Sequence, residues 1–133
     1  ETPITLRLDL GSRIPLATTA MGRALLAALP DDERGYLMEH IAQADAKQWP
    51  RVRAGIEQGI EDYRTRGFTL SVGDWQQDVH AVGVALKPAD GSPILALNCG
   101  GPAFLYDRKR LINDFGPRLV NLVRNVEATT GRQ

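Results

Sequence analysis

The spacing of hydrophobic positions along this chain changes several times, and each change marks an element. Over residues 3–10, Ile4, Leu6, Leu8 and Leu10 alternate with Thr5, Arg7 and Asp9. A period of two predicts a strand with one buried face, ended by Gly11-Ser12. After Pro15 the period lengthens. Met21, Leu25 and Leu29 recur at every fourth position with Leu26 beside them, and Gly22, Ala24, Ala27 and Ala28 permit close packing. This predicts a first helix that turns its Met21, Leu25 and Leu29 side to the core. Pro30-Asp31-Asp32-Glu33 puts acids where a helix dipole favours them, so a second helix begins there and runs on Leu37, Met38 and Ile41 to about Ala44. Beyond a loop through Trp49-Pro50, the stripe Val52, Ile56, Ile60 and Tyr63 predicts a third helix over 51–66, with Gly67 as its C-terminal cap.

Strands are then predicted over 68–73, 79–87 and 94–100. The last two form a hairpin around "PADGSP", whose central Asp90-Gly91 is a turn signal. If residues 88 and 93 flank the loop, Ala81 pairs with Gly100, Gly83 with Asn98 and Ala85 with Ala96 on one face. Val82, Val84, Leu86, Leu95, Leu97 and Cys99 then share the other. From Asp107 a last helix carries Leu111, Phe115, Leu119, Leu122 and Val126, and Gly116-Pro117 should kink or split it. The sum of these elements is an α+β fold.

At 133 residues and 43% hydrophobic, the chain suits one domain with one core that needs neither disulfide nor metal. Its 16 basic and 16 acidic residues cancel, which removes the electrostatic footprint of a nucleic-acid or anionic-membrane binder. The single cysteine, Cys99, has no internal partner, and no apolar run approaches a membrane span. The expected location is the cytoplasm, with no membrane partner. The opening "ETPITLRLDL" enters directly as a strand, so the chain is expected to be a fragment that begins mid-domain.

Catalytic and metal patterns are absent from the sequence. His40 and His80 lie in different elements without a second Cys or His at ligand spacing. "NCGGP" lacks the lysine and following helix of a phosphate loop, and no serine sits in a nucleophile elbow. Asp31-Asp32 fits a helix start better than a catalytic pair. No enzyme and no cofactor is expected.

Two other features point to binding. The first helix has no acid in its opening turn, although about half a positive charge collects there. Either the hydroxyls of Thr18 and Thr19 cap it, or the amides of Ala20, Met21 and Gly22 are kept for an external anion. The second feature is the small-residue face of the hairpin. Ala81, Gly83, Asn98 and Gly100 leave a hollow, to be filled by a neighbouring helix or by a ligand. A helix N-terminus aimed into such a hollow would suit a small carboxylate.

The order and spacing of "GSRIPLATTAMGRALLAALPDDE", "GIEDYRTRGFTL" and "ILALNCGGP" resemble the effector-binding domain of IclR-family bacterial transcription regulators, over nearly the whole chain. The resemblance implies a GAF-like α+β fold that senses a small metabolite, often a small organic acid. It also implies an N-terminal winged helix-turn-helix, absent from this sequence, that binds operator DNA as part of a homodimer or tetramer. Carried over by motif, the pocket positions are Ala20 and Met21 at the helix start, Ser71, Ala81, Asn98 and Gly100. Gly22 joins them from the reading of the bare helix start, and Gly83 from that of the hollow. The chain departs from the family at Met21, where a small residue is common, at Gly100, where serine is common, and at Asp78, where glycine is common. The family's opening helix and first strands are expected to be missing. The expected function is therefore a carboxylate-sensing domain of a regulator, and the alternative is a ligand-independent dimerisation module. With no Lys or Arg aligned to the site, the expected ligand is a monocarboxylate with an apolar or aromatic body.

Overall fold

The computed structural model describes residues 15–130. The strand expected over 3–10 and its Gly11-Ser12 end lie outside the described residues. The described elements run α1 (Ala20–Ala28), α2 (Asp31–Ala44), α3 (Trp49–Arg66), β1 (Thr69–Val72), β2 (Val79–Leu86), β3 (Leu95–Pro102), α4 (Arg108–Arg110), a π-helical turn (Leu111–Phe115) and α5 (Gly116–Thr130). α3 starts two residues earlier than the stripe predicts, because Pro50 fits a helix's first turn, where its missing N–H leaves no partner unmet. Its C-terminal cap is Gly67 at φ +87°, as expected.

The described strands form one antiparallel sheet in the order β1-β2-β3. The hairpin register is the one read from the turn: Ala81 faces Gly100, Gly83 faces Asn98 and Ala85 faces Ala96. Pairing stops at Leu86 and Leu95, short of residues 88 and 93. Both of those are prolines, which have no N–H for a ladder. The tip is folded locally instead, with Asp90 Oδ1 accepting from the Ser92 amide at 2.9 Å and its hydroxyl at 2.6 Å, and with Gly91 at φ +84°.

Four layers result: α5, the sheet, α1 and α3. On one face Leu70, Val82, Val84 and Leu86 pack with Phe68, Leu111, Leu119 and Val123. On the other, α1 lies across all three strands and is covered in turn by α3, with Leu26 and Ile56 between the two helices. α2 lies outermost, and none of its residues is fully buried.

Two helical faces differ from the spacing argument. In α1 the buried positions are Ala20, Gly22, Arg23, Ala24, Leu26 and Ala28, while Met21, Leu25 and Leu29 are only half-buried. A helix held between two layers buries two sides. Here small residues serve the close approach to the sheet, and the large residues at a four-residue spacing fall on the flank. In the last helix, Leu111, Leu119 and Val123 are buried, but Leu122 is 53% and Val126 36% exposed. The π turn explains the shift. The Gly116 amide reaches back to the Leu111 carbonyl, so one turn takes up an extra residue and Leu111, Phe115, Leu119 and Val123 align at intervals of four. Gly116-Pro117 does break the regular helix, as expected, by closing this wide turn.

Candidate functional site

The two faces of the sheet are built differently because side chains alternate along a strand. On the α1 face β1 presents Thr69 and Ser71, both buried, and both hydroxyls donate to the start of the helix. Thr69 Oγ1 bonds the Ala20 carbonyl at 2.5 Å, and Ser71 Oγ bonds the Thr18 carbonyl at 2.6 Å. These bonds draw the first turn of α1 down onto the sheet. At Gly83 the approach is so close that a Cβ there would collide with the Ala20 carbonyl and lie 2.8 Å from the Met21 nitrogen. Helix backbone therefore fills the hollow at Gly83. Gly22 meets the same limit on its other side, where a Cβ would strike the backbone of Leu16, at 2.5 Å from its Cα.

The question of the uncharged helix start has a partial answer in Thr19. Its Oγ1 accepts the Gly22 amide at 3.0 Å and donates to the Pro15 carbonyl at 2.6 Å, while the Arg23 amide closes on the Thr19 carbonyl at 3.0 Å. A threonine cap of this kind needs no acid. It also means that the Gly22 amide already has its acceptor, and that Ala20 and Met21 carry the remaining amides of the first turn.

Toward β3 the same face opens. Asn98 is exposed, and Ala96 and Gly100 are half-buried, as are Met21 and Leu25 on α1. Ala81 is buried beside Gly100. A Cβ at position 100 would come within 2.6 Å of both the Ala81 Cβ and the His80 carbonyl, so the strands have closed to a spacing that only glycine allows. The departure from a serine at this position is thus built into the β2–β3 pairing. Ala20, Met21, Ser71 and Gly83 meet at the start of α1, and Ala81, Asn98 and Gly100 lie on the adjoining part of the face.

Sequence reasoning passed over Arg23. It is 6% exposed, and its side chain runs between α1 and α3. Nε donates to the Ala17 carbonyl at 2.9 Å, and Nη1 donates to the Leu70 carbonyl at 3.0 Å and to Asp74 Oδ2 at 2.8 Å. Gly55 and Gly59 leave the channel for it, since a Cβ on Gly55 would strike its Nη2 and one on Gly59 would sit 3.2 Å from its Cβ. The signal was present as one cation in an Ala-Leu helix and two glycines four apart on another. A second arginine caps the far end of α1: Arg34 Nη1 donates to the Leu29 carbonyl at 2.8 Å and pairs through Nη2 with Asp31.

Groups with reactive potential serve structural ends. His80 Nδ1 lies 2.9 Å from the Tyr106 carbonyl, and His40 Nδ1 lies 3.1 Å from that of Tyr36. Cys99 belongs to the α5 face; burial pushes its thiol up, Arg118 pulls against this and Asp114 adds to it. Such a thiol stays protonated at neutral pH. Among the described residues, no group of His, Cys, Asp or Glu could hold a metal ion, and no helix is long and apolar enough to cross a membrane.

Comparison with known proteins accords with this architecture. Residues 1–128 match the family model described as bacterial transcriptional regulator IclR C-terminal. The chain is 26% identical over 125 residues to the HTH-type transcriptional regulator TsaQ1/TsaQ2 of Comamonas testosteroni, covering 94% of this chain and 45% of that protein. It is 29% identical over 130 residues to the Pca regulon regulatory protein of Pseudomonas putida, covering 95% of this chain and 44% of that one. The chain thus spans under half the length of these curated relatives. Both are regulators of transcription rather than enzymes. Among solved structures, an IclR family transcriptional regulator from Brucella abortus superposes with a TM-score of 0.88 at 40% identity, over 95% of this chain and 47% of that one. The PobR inducer binding domain from Acinetobacter, a double mutant in complex with 3-hydroxybenzoic acid, shares the fold with a TM-score of 0.65 at 21% identity, over 88% of this chain and 67% of that one. The layered α+β fold and the matched family model make this chain a member of the IclR family of bacterial transcriptional regulators, within that family's C-terminal region.

Proposed function

We propose that this domain senses a small monocarboxylic acid in the recess between the start of α1 and β3. Occupancy would shift the population of subunit arrangements, and so alter how the DNA-binding part of the full-length regulator engages its operator. The observation that carries the reading is the uneven cover of the α1 face. Helix backbone seals β1 and β2, whereas Asn98 stays exposed and Ala96, Gly100, Met21 and Leu25 stay half-buried beside a helix start that bears no acid. Such a recess offers apolar surface, one amide side chain and the positive end of a helix, which suits a carboxylate on an apolar body. The occurrence of 3-hydroxybenzoic acid in the PobR domain supports the ligand class.

In this reading the carboxylate uses the amides of Ala20 and Met21, with Gly22 shaping the turn. The body lies against Ala81 and Gly100, because α1 backbone already covers Gly83; Asn98 supplies a hydrogen bond, and Ser71 holds the helix start in place. The chain forms the sensing domain of a cytoplasmic homodimer or tetramer, and operator DNA is contacted by a winged helix-turn-helix elsewhere in the protein. One observation favours a rival, a ligand-independent oligomerisation module: α1 already fills the hollow at Gly83.

Thermal melting with a panel of carboxylates separates the two. A true ligand at about a hundred times its dissociation constant adds about 2.7 kcal/mol of stability. Ala81→Leu should remain folded, at a cost of about 1–3 kcal/mol for overpacking, and should lose that increment. If no acid in the panel shifts the melt, the oligomerisation reading gains. If the variant keeps the full increment, the ligand binds elsewhere.

A further inference from the structure

We propose that Asp74, acting through Arg23, is a positioning residue that sets the height and order of the α1 start over the sheet. Arg23 is the one buried cation among the described residues, and three of its guanidinium hydrogen bonds end on different segments. Ala17 belongs to the turn that leads into α1, Leu70 to β1, and Asp74 to the loop between β1 and β2. The first two acceptors are carbonyls on the fold's framework. Only Asp74 brings a countercharge, and its side chain is 41% exposed, so the pair can be reached from outside while its other half is locked inside.

The Asp74 loop is itself fixed at both ends. The Gly73 amide bonds the Val79 carbonyl at 3.2 Å, the Val79 amide bonds the Gln76 carbonyl at 3.0 Å, and the Ala103 amide bonds the Asp78 carbonyl at 2.8 Å. The carboxylate is thus held by a loop tied to the end of β3, and it pulls on a cation rooted in α1. Loss of that countercharge would leave the guanidinium buried with two neutral acceptors, a less favourable setting for a full charge. The response open to it is to tilt toward water. Its stem crosses the faces of Gly55 and Gly59, so tilting would carry the turn at Ala17 and the Thr19 cap with it. Asp74 therefore sits where the β1–β2 loop can govern the helix start without touching it.

This inference leans on the proposed sensing site only for its consequence, and its test needs no ligand. Hydrogen exchange is followed amide by amide in the 133-residue chain and in Asp74→Ala. The reporters are the amides of Gly22 and Arg23, both bonded to Thr19, and the controls are the Gly67 cap and the β2–β3 ladder. Loss of a half-exposed charge-assisted hydrogen bond should speed exchange at the two reporters by about tenfold and leave the controls within about twofold. Arg23→Lys should give the same local pattern, because an ammonium lacks the planar fork needed to span Ala17, Leu70 and Asp74 together. Unchanged reporters in Asp74→Ala would overturn the proposal. So would faster exchange spread equally over reporters and controls, which is the mark of a merely structural ion pair. If Arg23→Lys fails to fold, Asp74→Ala alone decides, since its change lies at an exposed carboxylate.

Discussion

The two faces of one three-stranded sheet are held by different physics. On the α5 face Leu70, Val82, Val84 and Leu86 meet Phe68, Leu111, Leu119 and Val123 side chain to side chain. On the α1 face the contact is backbone to backbone at Gly83, tightened by the hydroxyls of Thr69 and Ser71 and braced by Arg23. The first face draws its stability from apolar area, which tolerates reshaping as long as volume is kept. The second draws it from proximity, which leaves no room for an added atom at Gly83. A surface that must bring a helix start to a sheet, and leave room beside it, has little use for large side chains.

That contrast can be broken first on the apolar face. Leu111→Ala removes a fully buried side chain beside Val82 and Val84 and should cost about 3–4 kcal/mol in denaturant unfolding. A loss near 1 kcal/mol would mean that the π turn can close over the cavity and that this face is less tightly packed than its burial implies. Gly83→Ala tests the other face by addition. One methyl group set against the Ala20 carbonyl should cost about 2–3 kcal/mol, close to what deleting a leucine costs across the sheet. A neutral result would show that α1 can ride up from the sheet.

Both faces also show how far the amino-acid pattern reaches. The hairpin register could be read because Asp90-Gly91 fixes the turn and because bulky and small residues alternate on either side of it. The α+β class, the acid-led start of α2 and the Gly67 cap were likewise local signals. The buried sides of α1 and α5 were not. A four-residue spacing of Met21, Leu25 and Leu29 looks like a core stripe whether the helix has one neighbour or two, and the π turn that moves Leu122 and Val126 to the surface has no local signature in "LINDF". At the candidate site, the residue types of the hollow were visible, but its filling at Gly83 and its opening at Asn98 depend on where α1 comes to rest. Arg23 was hidden for the same reason, since its acceptors are two carbonyls and an acid up to 51 residues away.

Two smaller perturbations sharpen the comparison. Thr69→Val keeps shape but removes the donor to the Ala20 carbonyl, and should cost about 1–2 kcal/mol while speeding exchange in the first turn of α1. Equal stability would place the hold on α1 elsewhere. At the rim of the α5 face, Glu127 accepts from the Lys87 amide and pairs with Arg124. Partial burial raises its carboxyl, but the Lys87 amide and Arg124 outweigh this and bring it below its ordinary value. A lowered folded-state value means that the contribution is present above the ordinary carboxylate range and is lost as pH falls through the lowered one. Glu127→Gln should therefore lower stability slightly at pH 7 and by less as pH falls, which flattens the acid limb of the stability–pH curve. An unaltered acid limb would show that the contact carries no pH-dependent stability.

The central claim is that the open part of the α1 face receives a carboxylate, and amide-resolved NMR titration with benzoate and 3-hydroxybenzoate tests it most directly. The account expects saturable shifts at the amides of Ala20 and Met21 and at the Asn98 side chain, with smaller ones at Ala81 and Gly100 and none at Val82, Val84 or Leu119 on the opposite face. Shifts centred on the α5 face, or no saturable shift with either acid at millimolar concentration, would contradict it.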